Sequence, residues 1–223
     1  MRWFVRFVLT TAAWLLLLVA YSYYYFDQFL PWYYRGHGFD LPVTVPALMS
    51  YVVRTAGHLV SPSRGLITYV PVVVFVAYLV IRYRRTLPSV ALTVLGAANV
   101  VALVALMSGW RMWWGGHSYG PRLLTECVPW LVLLAVMGVG AMRTASAHVS
   151  RGRRRLELVV GAVLLVSSVA INARGALSWD TVIWNYYPVD VDKRESRLWD
   201  WSDAQLLAGD AGPLAEVYDP RRR

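Results

Sequence analysis

One cysteine, Cys127, and one lysine, Lys193, are all that 223 residues contain of either type. The lone cysteine excludes a disulfide framework and any cysteine-based metal spacing. Charge of both signs is scarce: 16% of residues are charged and 57% are hydrophobic, against roughly 25% and 45–50% in soluble domains. No internal repeat or low-complexity run is present. No segment has the size and composition of a second, independently folded soluble domain.

What the chain has instead is apolar runs: Trp3 to Phe26, Leu66 to Ile81, Ser89 to Met107, Leu123 to Met142 and Leu156 to Asn172. A bilayer core about 30 Å thick takes roughly 20 mostly apolar residues to cross as a helix, and lipid supplies no partner for an unpaired backbone group. The expected fold is therefore an all-α integral membrane protein with about five transmembrane helices, near 3–26, 66–82, 89–107, 123–142 and 156–172. Residues 1–172 form the polytopic domain and residues 173–223 a polar tail. The first run is long and ends in Tyr23, Tyr24, Tyr25 and Phe26 without a small-residue cleavage site, which reads as an uncleaved first helix rather than a signal peptide.

Arginine placement sets the expected orientation. Arg82, Arg84 and Arg85 lie in one short connection, and Arg143, Arg151, Arg153, Arg154 and Arg155 in another, where the nearest acid is Glu157. The positive-inside rule puts these loops and the N-terminus in the cytoplasm and the tail outside. The net charge of +9 is then a topology signal that also suits contact with anionic lipid. Nucleic-acid binding is excluded as a function class, because no soluble basic domain exists to carry it.

Three segments fall on the outer side. Residues 27–65 are broken by Pro31, Pro42 and Pro46. Within them, residues 46–60 read as an amphipathic helix too short to span, with Leu48, Tyr51, Val52 and Leu59 on an apolar side and Arg54 and His58 on a polar flank. The tail lacks a helical period until roughly Ser202 to Val217. The remaining segment, GWRMWWGGHSYGPR, is the most informative. Trp110, Trp113 and Trp114 suit an interfacial aromatic belt. Gly115, Gly116 and Gly120 permit sharp turns and close backbone approach to a ligand. Arg111 and Arg122 offer planar forks for phosphate, beside His117 and Tyr119. Interface anchoring and binding of a phospholipid-like head carrying a sugar both fit.

Arg122 and Glu126, four apart at the outer end of the fourth run, are placed to meet on an α-helix, as an anchoring ion pair or as a phosphate ligand with its orienting carboxylate. Pro129 frees the Thr125 carbonyl. In SPSRG, Ser61, Ser63 and Arg64 make either a polar cup for an anion at a helix start or a capping turn with a snorkelling arginine. Asp190 and Asp192 in YYPVDVDK look like the D-x-D of metal-dependent sugar transferases, although two solvated acids in a polar tail explain them as well. WDWSD, from Trp199 to Asp203, reads as a turn pinned by aromatics. His37, His58 and His148 have no partner at ligand spacing. No metal ligand is assigned, no cofactor is identified, and these residues give no support for a divalent metal.

The order SPSRGLITYVPVVVF, WWGGHSYGPRLLTECVPWL, INARGALSWDTVIWNYYPVDVD and RLWDWSD, preceded by YSYYYFDQFLPWYYRGHGF, resembles the C-terminal half of a bacterial family of the glycosyltransferase C superfamily, polytopic enzymes similar to protein mannosyltransferases. The resemblance implies location in the bacterial cytoplasmic membrane and inverting transfer of a sugar from a polyprenyl-phosphate carrier to an acceptor hydroxyl on the outer side. It implies donor-phosphate contacts at Arg64 and Arg122, and a sugar or carrier wall at Trp114, His117 and Tyr119. Family members are about twice this length, and their acidic base lies in the half that this sequence does not match. Asp27 is the one weak counterpart, in a setting that resembles a middle segment of the family. Three readings follow: a glycosyltransferase-like protein acting alone or with a membrane partner that supplies the N-terminal half, a non-catalytic accessory subunit of a larger cell-envelope enzyme, and a carrier for lipid-linked sugars. The carrier reading ranks last, because ionisable residues at mid-membrane are almost lacking.

Overall fold

A computed structural model describes residues 2–29, 38–145 and 150–209. Among these residues the chain is helical, with no β-strand, and four helices are long and apolar enough to cross a membrane. Residues 1–40 and 41–223 form two compact units. The first contains α1 (Arg2–Phe26), which ends where Asp27 takes a left-handed conformation at φ 51°.

The second unit begins with α2 (Val45–Val60), capped by the Thr44 side chain with a proline in its first turn. After α3 (Leu66–Tyr69) and α4 (Val72–Arg82) come α5 (Val90–Ser108), capped by Ser89, α6 (Val128–Thr144) and α7 (Arg151–Leu177), capped by Ser150. A short α8 (Asp180–Ile183) follows. Helices α5, α6, α4 and α7 pack in that order across the bundle. Small residues set the approach: a Cβ on Gly161 would meet the Phe75 ring at 2.4 Å, and one on Gly138 would meet Leu79 at 2.9 Å. Without a hydrophobic driving force between helices, such close contact is what holds a bundle together in lipid.

The second apolar run departs from one continuous helix. Proline at position 71 disfavours helical backbone at Val70, and Val70 takes φ −132° and ψ 61°. The groups freed by this break are met from α7, where the Asn172 amide donates to the Tyr69 carbonyl (2.9 Å) and the Ser168 hydroxyl accepts from the Val72 amide (3.1 Å). A broken helix in a lipid-spanning bundle is tolerable only with such partners. What remains, α4, is 11 residues, short of a full crossing alone. Helix α7 extends beyond the expected 156–172 by more than a turn at each end.

Helix α2 turns its polar side inward. The Tyr51 hydroxyl donates to the Ala105 carbonyl (2.6 Å), Thr55 bonds to Ser108 (2.9 Å), and His58 is buried against the Trp113 ring. Leu48, Met49, Val52 and Val53 face outward. The expected apolar side is thus divided, with Tyr51 facing the protein and Leu48 and Val52 facing out.

Candidate functional site

The loop 109–121, the SPSRG turn and the tail 178–209 assemble into a cap at one end of the bundle. Its apolar centre is Trp113, Trp114, Trp184, Val191 and Leu198, with Trp199 packed against it. Trp113 and Trp114 therefore form a protein core, which corrects their assignment to an interfacial belt. Their indole N–H groups donate to Glu195 (2.7 Å) and Asp192 (2.7 Å).

Arg64 pins the cap. It is 1% exposed, and each N–H of its fork has an acceptor: the carbonyls of Trp114 (2.9 Å), Ser63 (2.7 Å) and Gly116 (3.2 Å), the Asn185 amide oxygen (2.9 Å) and the Gln205 amide oxygen. Burial lowers its pKa to about 10, so the fork stays charged at neutral pH. An arginine has five such donors, and none is left for a phosphate. Neither the anion cup nor the snorkelling arginine describes this geometry. The Ser61 hydroxyl donates to the Leu198 carbonyl (2.6 Å), and Ser63 accepts from the Gln205 amide (3.3 Å), so the cup is filled by the chain's own tail.

Gly115, Gly116 and Gly120 take φ of 72°, 68° and 61°, the left-handed turns that their sequence suggests. They bring Tyr119 against Gly175, with its hydroxyl on the Ile171 carbonyl (2.8 Å). Trp114 and Tyr119 are committed to packing, whereas Arg111, His117, Arg122 and Glu126 are exposed.

No ion pair joins Arg122 to Glu126 among the described residues. The segment Arg122–Cys127 is a 3-10 helix, in which residues four apart diverge by about 120° rather than stacking. Pro129 lies in the first turn of α6, and the Thr125 carbonyl accepts from the Val128 amide.

The tail brings Asp190 and Asp192 to His117. The imidazole Nε2 lies 2.8 Å from Asp190 Oδ1 and 3.7 Å from Asp192 Oδ2. The Tyr186 ring packs against the imidazole at 4.3 Å between centroids. The hydrogen bond from His117 and one from the Asp192 amide hold Asp190 below the usual carboxylate range. These acids stay open to solvent, as expected of a polar tail, but both face the loop through His117.

Arg197 is a functional-looking group that the sequence did not single out. It lies over the Trp184 ring at 4.1 Å and donates to Asp203 (2.6 Å) and Val189 (2.9 Å), closing the tail on itself. In WDWSD, Asp200 accepts from the Ser202 amide and hydroxyl (2.9 and 2.6 Å), a turn as expected, while Trp199 packs inward and Trp201 is exposed. The expected helix over 202–217 appears only as a 3-10 turn at Gln205–Leu207 within the described residues; its remainder lies outside them, as do His37 and His148. Asp27 belongs to the first unit.

An apolar cleft of about 400 Å³ runs along α4, α6 and α7, lined by Val73, Phe75, Val128, Val132, Met142 and Leu165 among others. Val128, at its cap end, follows the 3-10 turn that carries Arg122. Comparisons with protein-family models, with curated proteins and with solved structures find no match.

Proposed function

We propose that this chain is a membrane-embedded, glycosyltransferase-like protein that handles a polyprenyl-phosphate-linked sugar at the outer face of the bacterial cytoplasmic membrane, alone or as one half of a two-chain enzyme. The observation that carries the reading is the apolar cleft, whose Val128 end directly follows the 3-10 turn that begins with the exposed Arg122. An isoprenoid tail matches the chemistry of its wall, and a phosphate at headgroup level matches a guanidinium carried by the turn that leads into the cleft's Val128 end. With the Arg64 fork fully occupied, Arg122 is the arginine assigned to the donor phosphate. Orientation has support as well: Arg82, Arg84, Arg85, Arg143 and the arginines at 151–155 lie where α4 and α6 end and α7 begins, away from the cap, as the positive-inside rule expects of a cytoplasmic face.

The test is transfer of radiolabelled sugar from polyprenyl phosphate in membranes containing the full chain. Arg122→Ala is expected to lower transfer by about 10- to 100-fold, the worth of one charge-assisted contact, with expression unchanged. Transfer at the wild-type rate would remove Arg122 and the donor reading with it.

A further inference from the structure

We propose that His117, Asp190 and Asp192 bind one divalent cation of the manganese class, whose open positions accept oxygen from a phosphate-bearing ligand. The phosphate clause rests on the function proposed above; the cation site does not.

The three residues come from two segments more than 70 positions apart. They offer one imidazole nitrogen and two carboxylate oxygens, all within 4.8 Å of one another. A first-row cation holds such ligands at about 2.0–2.2 Å, so two neighbouring ligands in its shell stand about 3.0–3.4 Å apart by simple geometry. The observed separations of 2.8 and 3.7 Å bracket that range. A cation therefore fits both separations from the imidazole with shifts of a few tenths of an ångström, and side-chain rotation closes the two carboxylate oxygens, within 4.8 Å of each other, around it. The donor set of one nitrogen and two oxygens suits manganese or zinc better than the soft, thiolate-seeking metals.

Asp192 is aimed by its surroundings. Its Oδ1 accepts from the Trp114 indole (2.7 Å), and Trp114 and the neighbouring Val191 belong to the cap core. The second oxygen, Oδ2, is the one that faces His117. An outer hydrogen bond orienting a ligating carboxylate is a common device of metal sites. Two carboxylates also share this small space with one imidazole. The nearby cations are Lys193, which acts on Asp190, and Arg64, which acts on Asp192; Arg64 directs all its donors elsewhere. A simple ion pair needs His117 and one acid, whereas a cation uses all three. Three protein ligands leave further positions open toward solvent, since all three side chains are about one-third exposed.

The experiment titrates the purified full chain in detergent with Mn²⁺ and follows the loss of the free-ion electron paramagnetic resonance signal. One ion per chain is expected, with nitrogen coupling from an imidazole in the pulsed spectrum of the wild type. His117→Ala and Asp190→Asn are each expected to weaken binding about tenfold or more, while Asp200→Asn, in the separate turn, binds as the wild type does. The wild-type nitrogen coupling keeps the test independent of any variant that fails to fold. Binding without nitrogen coupling, binding unaffected by His117→Ala, or no stoichiometric binding would each overturn the site. Lack of Mn²⁺ binding with Arg122-dependent transfer intact would overturn the site alone. Nitrogen-coupled binding in a chain without Arg122-dependent transfer would support the site and remove the proposed function.

Discussion

Two buried charges sit at opposite ends of the bundle, and they are satisfied in opposite ways. Arg64, in the cap, is a cation held by five neutral acceptors from four segments, at sequence distances of 1, 50, 52, 121 and 141. Glu157, near the start of α7, is an anion 6% exposed that accepts from the hydroxyls of Tyr78 (2.7 Å) and Tyr83 (2.6 Å) and from Arg153 one turn away (3.4 Å). Glu157 staples two helices whose approach is already fixed by Gly161 against Phe75. Arg64 joins loops that have little regular structure of their own. A buried charge is therefore worth most where the backbone around it has no other reason to converge.

The sharpest way to break this comparison is Arg64→Met, which fills similar volume but strands five buried acceptors. We expect a loss of about 3–5 kcal/mol, read as a fall in the unfolding midpoint in detergent together with new protease cleavage between residues 178 and 209. Arg64→Lys is expected to recover only part of this, because three donors cannot serve five acceptors. A cap that stays protease-resistant in Arg64→Met would end the distinction between the two charges.

Glu157→Gln probes the other end. We expect about 1–2 kcal/mol and no change in cleavage of the tail. A double-mutant cycle with Tyr83→Phe should give a coupling of about 0.5–3 kcal/mol, and zero coupling would mean that the phenol and carboxylate act independently.

The smallest expected effect comes from His58, a third buried ionisable group with neither kind of shell. Desolvation lowers its pKa, against a hydrogen bond from the imidazole to the Met107 backbone that raises it, and its Nε2 has no partner. The unfolded chain therefore binds the proton more readily than the folded one. Its contribution to stability is complete above the unfolded value of about 6.5 and declines as pH falls through that value toward the lower folded one, by at most about 1.4 kcal/mol per pH unit. Unfolding midpoints measured from pH 8 to 5 should show this decline, and His58→Gln should flatten it.

The apolar helices were legible because apolar length is a local signal, and four of the five expected runs are helices long enough to cross a membrane. Ser89 and Ser150 cap their helices where the expected spans begin or shortly before. Both segments flagged in sequence, SPSRG and GWRMWWGGHSYGPR, lie in the cap, and the glycine turns follow from residue type alone. The partners were not legible. Nothing local in Asn185 or Gln205 signals a guanidinium more than 100 residues earlier, and the tail approaches it through 3-10 turns whose short period leaves little trace in the sequence. The pairing of Arg122 with Glu126 failed for a related reason, since i and i+4 neighbour each other on an α-helix but not on the 3-10 turn that Pro129 follows. The break at Val70 needed Ser168 and Asn172 on a different helix to become tolerable.

The order in which Arg64 meets its acceptors has a consequence for biogenesis. The chain is made from its N-terminus, so Ser63, Trp114 and Gly116 are in place while Asn185 and Gln205 have yet to be synthesised. Until the final stretch is made, the guanidinium has two of its five amide and carbonyl partners outstanding, and the cup at Ser61 and Ser63 stands open. The last residues of the described tail thus act as a latch: they complete the guanidinium's shell and fill the cup, and a chain that ends before them leaves both open.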